Sequence, residues 1–311
     1  MYLVTGGAGF IGSHLVERLL KEGKRVRVID NFVTGKRDNL NGHMDKIELL
    51  EGDILDLEFV RKAVKGIEVV FHQAALRSVP LSVDHPLQTN EVNSQGTLNI
   101  LVASRDAGVT RVVYASSSSV YGDSPQLPKI EDQTPAPISP YAVSKLAAEN
   151  YCAVFTRVYG LETISLRYFN VFGPRQDPES QYAAVIPRFI SLALKGEPLE
   201  VHGDGLQSRD FTYIDNVVEA NLLAATTQTG IGEAFNVATG NTYSILDLIS
   251  TLSRILGKDL RWTHTPSRPG DVRHTLADTR KAQRLLGYRA LTAFEKGLHE
   301  TCLHFSNQKN F

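Results

Sequence analysis

Thr5-Gly6-Gly7-Ala8-Gly9-Phe10-Ile11-Gly12 follows the short apolar run Tyr2-Leu3-Val4 and leads into an amphipathic stretch over 10–22. A strand, a turn with glycines at 6, 9 and 12, and a helix together form a dinucleotide cradle. The first glycine permits the turn, the second lets backbone approach a pyrophosphate, and the third allows close helix–strand packing. The anion then meets a helix N-terminus, where unpaired amides and the dipole favour negative charge. The pattern predicts an α/β fold with a Rossmann-like, doubly wound parallel sheet.

Working outward, 25–29 reads as a second strand ending at Asp30, and 47–51 as a third ending at Gly52-Asp53. Residues 68–73, 112–115 and 162–166 read as strands four to six, with helices between them, including 91–107 and 141–159. After Phe169 the rhythm breaks at the loop Gly173-Pro174-Arg175-Gln176-Asp177-Pro178. Then come a helix over 184–195, an extended piece at 199–202, a turn at 203–205, a helix over 215–225 and a buried strand at 234–237. That last strand can return to the sheet as its seventh. The expected division is a cofactor domain of 1–169 plus about 211–242, and a smaller C-terminal α/β substrate domain of about 170–210 plus 243–311.

Asp30 sits where a carboxylate accepts both adenosine ribose hydroxyls and repels a 2′-phosphate, so NAD is expected in preference to NADP. Lys36 and Arg37 lie close by and weigh the other way. Asp53 is a candidate adenine contact, with a surface turn aspartate as the plain alternative. Ala74 and Ala75 are small where backbone must approach the cofactor. Phe10, Ile11, Asn31, Ile54, Gln73 and Phe169 complete the cofactor contacts expected from these segments.

Tyr141-Ala142-Val143-Ser144-Lys145 puts a phenol and an ammonium four apart, on one helix face. A phenol of pKa near 10 is a poor base at neutral pH. Lys145 and the positive nicotinamide are expected to favour the phenolate. Ser117 can hydrogen-bond the same substrate oxygen and steady a developing ketone. Alone, each residue reads as a half-buried tyrosine, a solvated lysine or a loop serine. Behind a dinucleotide cradle they read as a device that moves a proton off a hydroxyl while a hydride leaves its carbon.

The 311 residues have a formal net charge of −1, so no broad basic surface argues for nucleic acid or an acidic membrane. The first strand begins at Tyr2, and no apolar run reaches about 18 residues, so neither a signal peptide nor a membrane span is expected. The two cysteines, Cys152 and Cys302, lack CxxC spacing, which fits a reducing cytoplasm. The nine histidines are scattered without ligand spacing, and no metal is expected.

Over nearly its whole length the sequence resembles the extended short-chain dehydrogenase/reductase family, in particular its nucleotide-sugar 4-epimerases. The motifs are TGGAGFIG from Thr5, ASSSSVYG from Ala115, YAVSK from Tyr141, LRYFNVFGPRQDP from Leu166, SRDFTYIDN from Ser208 and RPGDVRHT from Arg268. The resemblance implies Ser117, Tyr141 and Lys145 as catalytic positions, the last two also as cofactor contacts, with Asn93 supporting the site at the cofactor. It implies tightly held NAD, oxidation of a UDP-sugar at C4, rotation of the 4-keto sugar and reduction from its other face. Arg209 and Arg268 are expected at the diphosphate, since guanidinium forks match phosphate oxygens. Asn170 corresponds to a nucleotide contact and Asp271 to a possible ribose contact, while Arg77 and Ser118 are expected near the sugar. Thr275 aligns with the position beside the C2 substituent, where a small residue leaves room for an N-acetyl group. Sugar 4,6-dehydratases carry an Asp-Glu pair, and UDP-glucuronate decarboxylases a glutamate, where this chain has Ser118 and Ser119. A UDP-glucuronate 4-epimerase is the alternative that keeps the serines. The resemblance also implies a homodimer through the helices near 91–107 and 141–159.

Overall fold

A computed structural model describes residues 1–178, 184–266 and 272–307. The first half forms β1 (Tyr2–Thr5), α1 (Phe10–Lys21), β2 (Val26–Asp30), β3 (Ile47–Glu51), α2 (Leu57–Ala63), β4 (Val69–His72), α3 (Val79–Asp84), α4 (Pro86–Asn90), α5 (Gly96–Asp106), β5 (Arg111–Ser117), α6 (Pro140–Tyr159), β6 (Glu162–Tyr168) and β7 (Val171–Phe172). The second half adds α7 (Val185–Lys195), β8 (Leu199–His202), β9 (Ser208–Arg209), β10 (Thr212–Tyr213), α8 (Ile214–Thr226), β11 (Ala234–Val237), β12 (Tyr243–Ser244), α9 (Ile245–Leu256), β13 (Trp262–Thr265), α10 (Arg280–Leu286) and α11 (Phe294–Asn307).

Seven strands make one parallel sheet in the order β11-β6-β5-β4-β1-β2-β3. β11 returns to the edge as the seventh strand, Ala234 opposite Ser165. β1 lies between β2 and β4, and the chain winds away from that point in both directions. Such a switch point leaves a crevice at the carboxyl ends of the strands. β4 is buried at every residue and β5 at all but its last, as strands covered on both faces must be.

β5 and β6 each run two residues past their apolar signal, because parallel pairing continues through Ser116↔Arg167 and Ser117↔Tyr168. Ser116 and Arg167 are both buried, and both bond Glu149 of α6. Satisfied polar groups thus prolong a ladder that hydrophobicity alone would end. The single helix expected over 91–107 is instead α4, a π-helical turn at Glu91–Gln95, and α5. Single π turns inside helices are frequent at functional sites, and this one carries Asn93.

The elements outside the large sheet pair as β7–β10, β9–β12 and β8–β13. Their apolar residues, Phe189, Leu199 and Leu248 among them, belong to the same buried cluster as Val4, Leu15 and Val28. No helix among the described residues is long and apolar enough to cross a membrane.

Candidate active site

The carboxyl ends of β1, β2, β4 and β5 open onto a cleft of about 910 Å³. Gly6 has φ +64°, and a Cβ on it would lie 2.9 Å from the Ala74 backbone. A Cβ on Gly12 would lie 2.2 Å from the Gly6 carbonyl oxygen. The turn therefore exists only with glycine at both places. α1 starts from Gly9 with no side-chain cap, and Gly9, Phe10 and Ile11 line the cleft. An uncapped helix end at such a turn suits a pyrophosphate.

Asp30 lines the same cleft and is buried. Its carboxylate accepts the backbone N–H of Ala8 at 2.9 Å and of Phe32 at 2.8 Å, which fixes its orientation. Burial raises its pKa, against those two hydrogen bonds. Asp53 and Asn31 also line the cleft, but they bond each other at 2.8 Å, and Asp53 further accepts the Leu55 N–H. Asp53 thus ties the ends of β2 and β3 together, a job the sequence did not suggest. Ile54, Gln73, Ala74, Ala75 and Phe169 are in the lining as expected, with the Gln73 amide held by Tyr168 and Asn221.

Tyr141 is the second residue of α6, after the cap Ser139 and Pro140, and its N–H donates to Ser82 Oγ at 3.1 Å. Ser117 lines the same cleft as the phenol. Ser117 Oγ also accepts from Ser119 N and Oγ, at 3.2 and 2.9 Å. Lys145 is buried one turn further on, with Nζ donating to the Ala115 carbonyl at 2.9 Å. Lys145 and the nicotinamide were expected to favour the phenolate; Lys145 is not among the influences acting on the phenol here. Burial raises the Tyr141 phenol, and the opposing influences are Ser117 and the Arg77 charge. Burial also depresses Lys145 to about 7. An enclosed site penalises phenolate and ammonium alike, so the lowering falls to groups at the cleft. Asn93, expected at the cofactor, does not line the cleft; it is buried behind it and bonds Leu76 and Ser144.

On the substrate side, Arg77, Ser118, Asn170, Arg209 and Thr275 line the cleft. Asn170 takes a positive φ of 33°, which asparagine tolerates better than most residues. Its Nδ2 donates to Thr275 Oγ1 at 3.1 Å, and the Asp210 N–H reaches the same oxygen at 3.3 Å. Thr275 is therefore a brace as well as a small side chain. Arg209 donates to the carbonyls of Ser208 and Arg273, both at 3.0 Å. Asp210 behind it accepts four bonds, from Thr239 N and Oγ1, Gly240 N and Ala277 N. Arg268 and Asp271 lie outside the described residues.

Sequence reasoning missed Lys129, which is almost fully buried, lines the cleft and donates to the Ser124 carbonyl. It also missed the pairing of Arg167 with Glu149, extended through Tyr121 to Asn236. An arginine inside the apolar run Leu166–Phe169 was the available signal, since a charge there demands a buried partner.

A family model described as "NAD dependent epimerase/dehydratase family" matches residues 2–238. A putative UDP-glucose 4-epimerase of Methanocaldococcus jannaschii is 38% identical over 300 residues, 96% of each chain. Among solved structures, a Thermotoga maritima UDP-glucose 4-epimerase with UDP-glucose superposes with a TM-score of 0.94 at 40% identity, covering 98% of both chains. A Methanobrevibacter ruminantium UDP-N-acetylglucosamine 4-epimerase, in complex with UDP-N-acetylmuramic acid, gives a TM-score of 0.95 at 41% identity, covering 99% of this chain and 98% of that one.

Proposed function

This chain belongs to the NAD-dependent epimerase/dehydratase family, and we propose that it is a UDP-sugar 4-epimerase acting on UDP-glucose/UDP-galactose, on UDP-N-acetylglucosamine/UDP-N-acetylgalactosamine, or on both. The observation that carries this reading is the convergence of Ser117, Tyr141 and Lys145 on one cleft, with serines and no carboxylate at 118 and 119.

In this reading Gly6, Gly9 and Gly12 with the uncapped end of α1 hold the NAD pyrophosphate, and Asp30 holds its adenosine ribose. Bound NAD supplies the acceptor, then the donor, of the C4 hydride. Tyr141 takes the proton of the C4 hydroxyl and later returns it. Ser117 donates to the same oxygen, and Ser117 and the Arg77 charge oppose the rise that burial imposes on the phenol. Arg209 and Arg268 anchor the diphosphate with Asn170, and Asp271 takes the uridine ribose, so the 4-keto sugar turns over without leaving. Residues 1–169 with about 211–242 serve the cofactor in this scheme, and about 170–210 with 243–311 serve the nucleotide sugar.

The test is a panel of UDP-glucose, UDP-N-acetylglucosamine and UDP-glucuronate, incubated without added NAD and followed by sugar analysis. Equilibrating C4 epimers with no accumulating NADH are expected. Turnover of the glucuronate alone would move the assignment to the uronate epimerases. A pentose product would make the enzyme a decarboxylase, and no conversion of any sugar would sink the reading.

We further propose a homodimer through α6. Val143, Tyr151, Val154 and Val158 are exposed and fall within about 80° of one another at 100° per residue. Val102 of α5 is half-buried and packs against the buried cluster that includes Val70 and Val112. Light scattering should give a dimer, and Val158→Glu a monomer; a monomeric wild type at micromolar concentration would refute the interface.

A further inference from the structure

Behind the cleft, buried polar side chains run from the glycine turn to the helix bearing Tyr141 and Lys145, and each proton in the chain has one place to go. The Thr5 hydroxyl oxygen accepts the backbone N–H of Gln73 and of Ala74, both at 3.1 Å. With both lone pairs engaged, its own proton goes to His72 Nδ1, 2.7 Å away. Nδ1 is therefore bare, and the neutral imidazole carries its proton on Nε2. That N–H meets Thr97 Oγ1 at 2.9 Å, and the Thr97 hydroxyl donates to the Asn93 carbonyl at 2.6 Å.

Asn93 continues the chain. Its side chain accepts the Leu76 N–H at 2.8 Å and donates to the Leu76 carbonyl at 2.9 Å. Its amide also donates to Ser144 Oγ at 3.0 Å, and Ser144 donates to the Tyr141 carbonyl at 2.8 Å. The bonds close a ring around the segment 73–76, which is part of the cleft wall. One spur of the ring reaches the turn that carries Tyr141. Burial, and after it the nearby Lys145 charge, hold His72 down to about 3, which keeps it neutral. A protonated imidazole would present N–H to Thr5 and leave the Thr5 proton without an acceptor.

We propose that His72, fixed as the Nε2–H tautomer, is a positioning residue that locks the cofactor-side wall at 73–76 to the helix carrying Tyr141. It touches neither cofactor nor substrate; it acts through Thr5, Thr97 and Asn93. Its kinetic consequence rests on the epimerase reading, whereas its tautomer and its effect on NAD retention do not.

The test begins with long-range proton–nitrogen correlation spectra of the ¹⁵N-labelled holoenzyme, in which His72 should show a bare Nδ1 and a protonated Nε2. Thr97→Val removes the Nε2 acceptor with little change of shape, and Thr97→Ser restores it. The valine variant should lose bound NAD on gel filtration and lose roughly 10- to 100-fold in kcat, the scale of a small misplacement, with KM for the UDP-sugar within about twofold. The serine variant should recover both properties. His72→Gln should fall between wild type and Thr97→Val, since an amide offers one acceptor and one donor at altered reach. An Nδ1–H tautomer, or a Thr97→Val enzyme that keeps its NAD and its kcat within about twofold, would overturn the proposal. A wild type that turns over no UDP-sugar would fail the epimerase reading alone, and the tautomer and NAD retention would still judge His72.

Discussion

The two sides of the cleft are built differently. The side with Tyr141, Ser117 and Lys145 stands on β4, β5 and α6, next to the centre of the seven-stranded sheet. Its supports are buried: His72, Asn93, Ser116, Ser144, Glu149 and Arg167 are all within the protein and bonded to one another or to backbone. The side with Asn170, Arg209 and Thr275 is made of loops and two-residue strands gathered from three distant parts of the chain. Its residues are half-buried, and it is braced by Asp210 and by Thr275 itself. Groups that move a proton need fixed positions, so they sit on packed elements. Groups that choose a sugar can sit on segments that tolerate change.

The sharpest break of that contrast is Tyr141→Phe. It removes the proton acceptor and little binding surface, so kcat should fall by about 10²–10⁴-fold while UDP-sugar affinity holds. Near-normal turnover would remove Tyr141 from the chemistry. The next largest effect is on stability. Arg167→Met leaves the Glu149 carboxylate buried without its partner and should cost about 3–5 kcal/mol in denaturant unfolding. The same substitution at the cleft-side Arg209 should cost far less stability, within about 0.5 kcal/mol, and act on nucleotide binding. If the two variants unfolded alike, the distinction between the sides would be lost.

Acid should act first through His72 on the packed side and through His14 on α1. His72 is held neutral by burial and by Lys145, at about 3, and His14 by burial and by Arg175, at about 4. Both folded values lie below the ordinary 6.5, so the unfolded chain binds more protons across the gap. Stability is therefore complete above about pH 6.5 and is lost as pH falls through that window, by up to about 1.4 kcal/mol per pH unit for each histidine. His72→Gln should flatten the slope between pH 6 and about 4, a change that urea titrations at several pH values can read. An unchanged slope would mean His72 is already charged in the folded protein.

Thr275 gives the smallest expected shift, and it tests the loop side. Thr275→Tyr adds a ring to the cleft wall, and overpacking commonly costs about 1–3 kcal/mol. If that cost falls on the N-acetyl sugar, the preference should move toward UDP-glucose by one to two orders of magnitude, since about 1.4 kcal/mol is tenfold. Because Thr275 Oγ1 also accepts from Asn170 and Asp210, Thr275→Val is the needed control. It removes the brace at equal size, so equal losses on both sugars in the valine and tyrosine variants would assign the effect to the brace.

The strand–turn–helix at 2–22 was legible because glycine spacing and hydrophobic period are local, and the six further strands followed from their apolar runs. Tyr141 and Lys145 were legible as one helix face for the same reason. Asp53 and Asn31 were read as free to meet a cofactor, yet they bond each other across two strand ends 22 residues apart. The Tyr141 phenol was read as lowered by Lys145 and the nicotinamide, whereas burial raises it against Ser117 and Arg77, which lie far off in sequence.

The parallel sheet, the glycine turn and the identities of the groups at the cleft are each written in spacing over a few residues. Which of those groups keep a hydrogen bond for a ligand is set by the folded packing around them. Whether a side chain faces the cleft or spends its hydrogen bonds on a neighbour depends on contacts between distant segments, 105 residues apart for Asn170 and Thr275 and 148 for Gln73 and Asn221. A buried polar group takes whichever partner the packing brings within reach, and no local pattern carries that information.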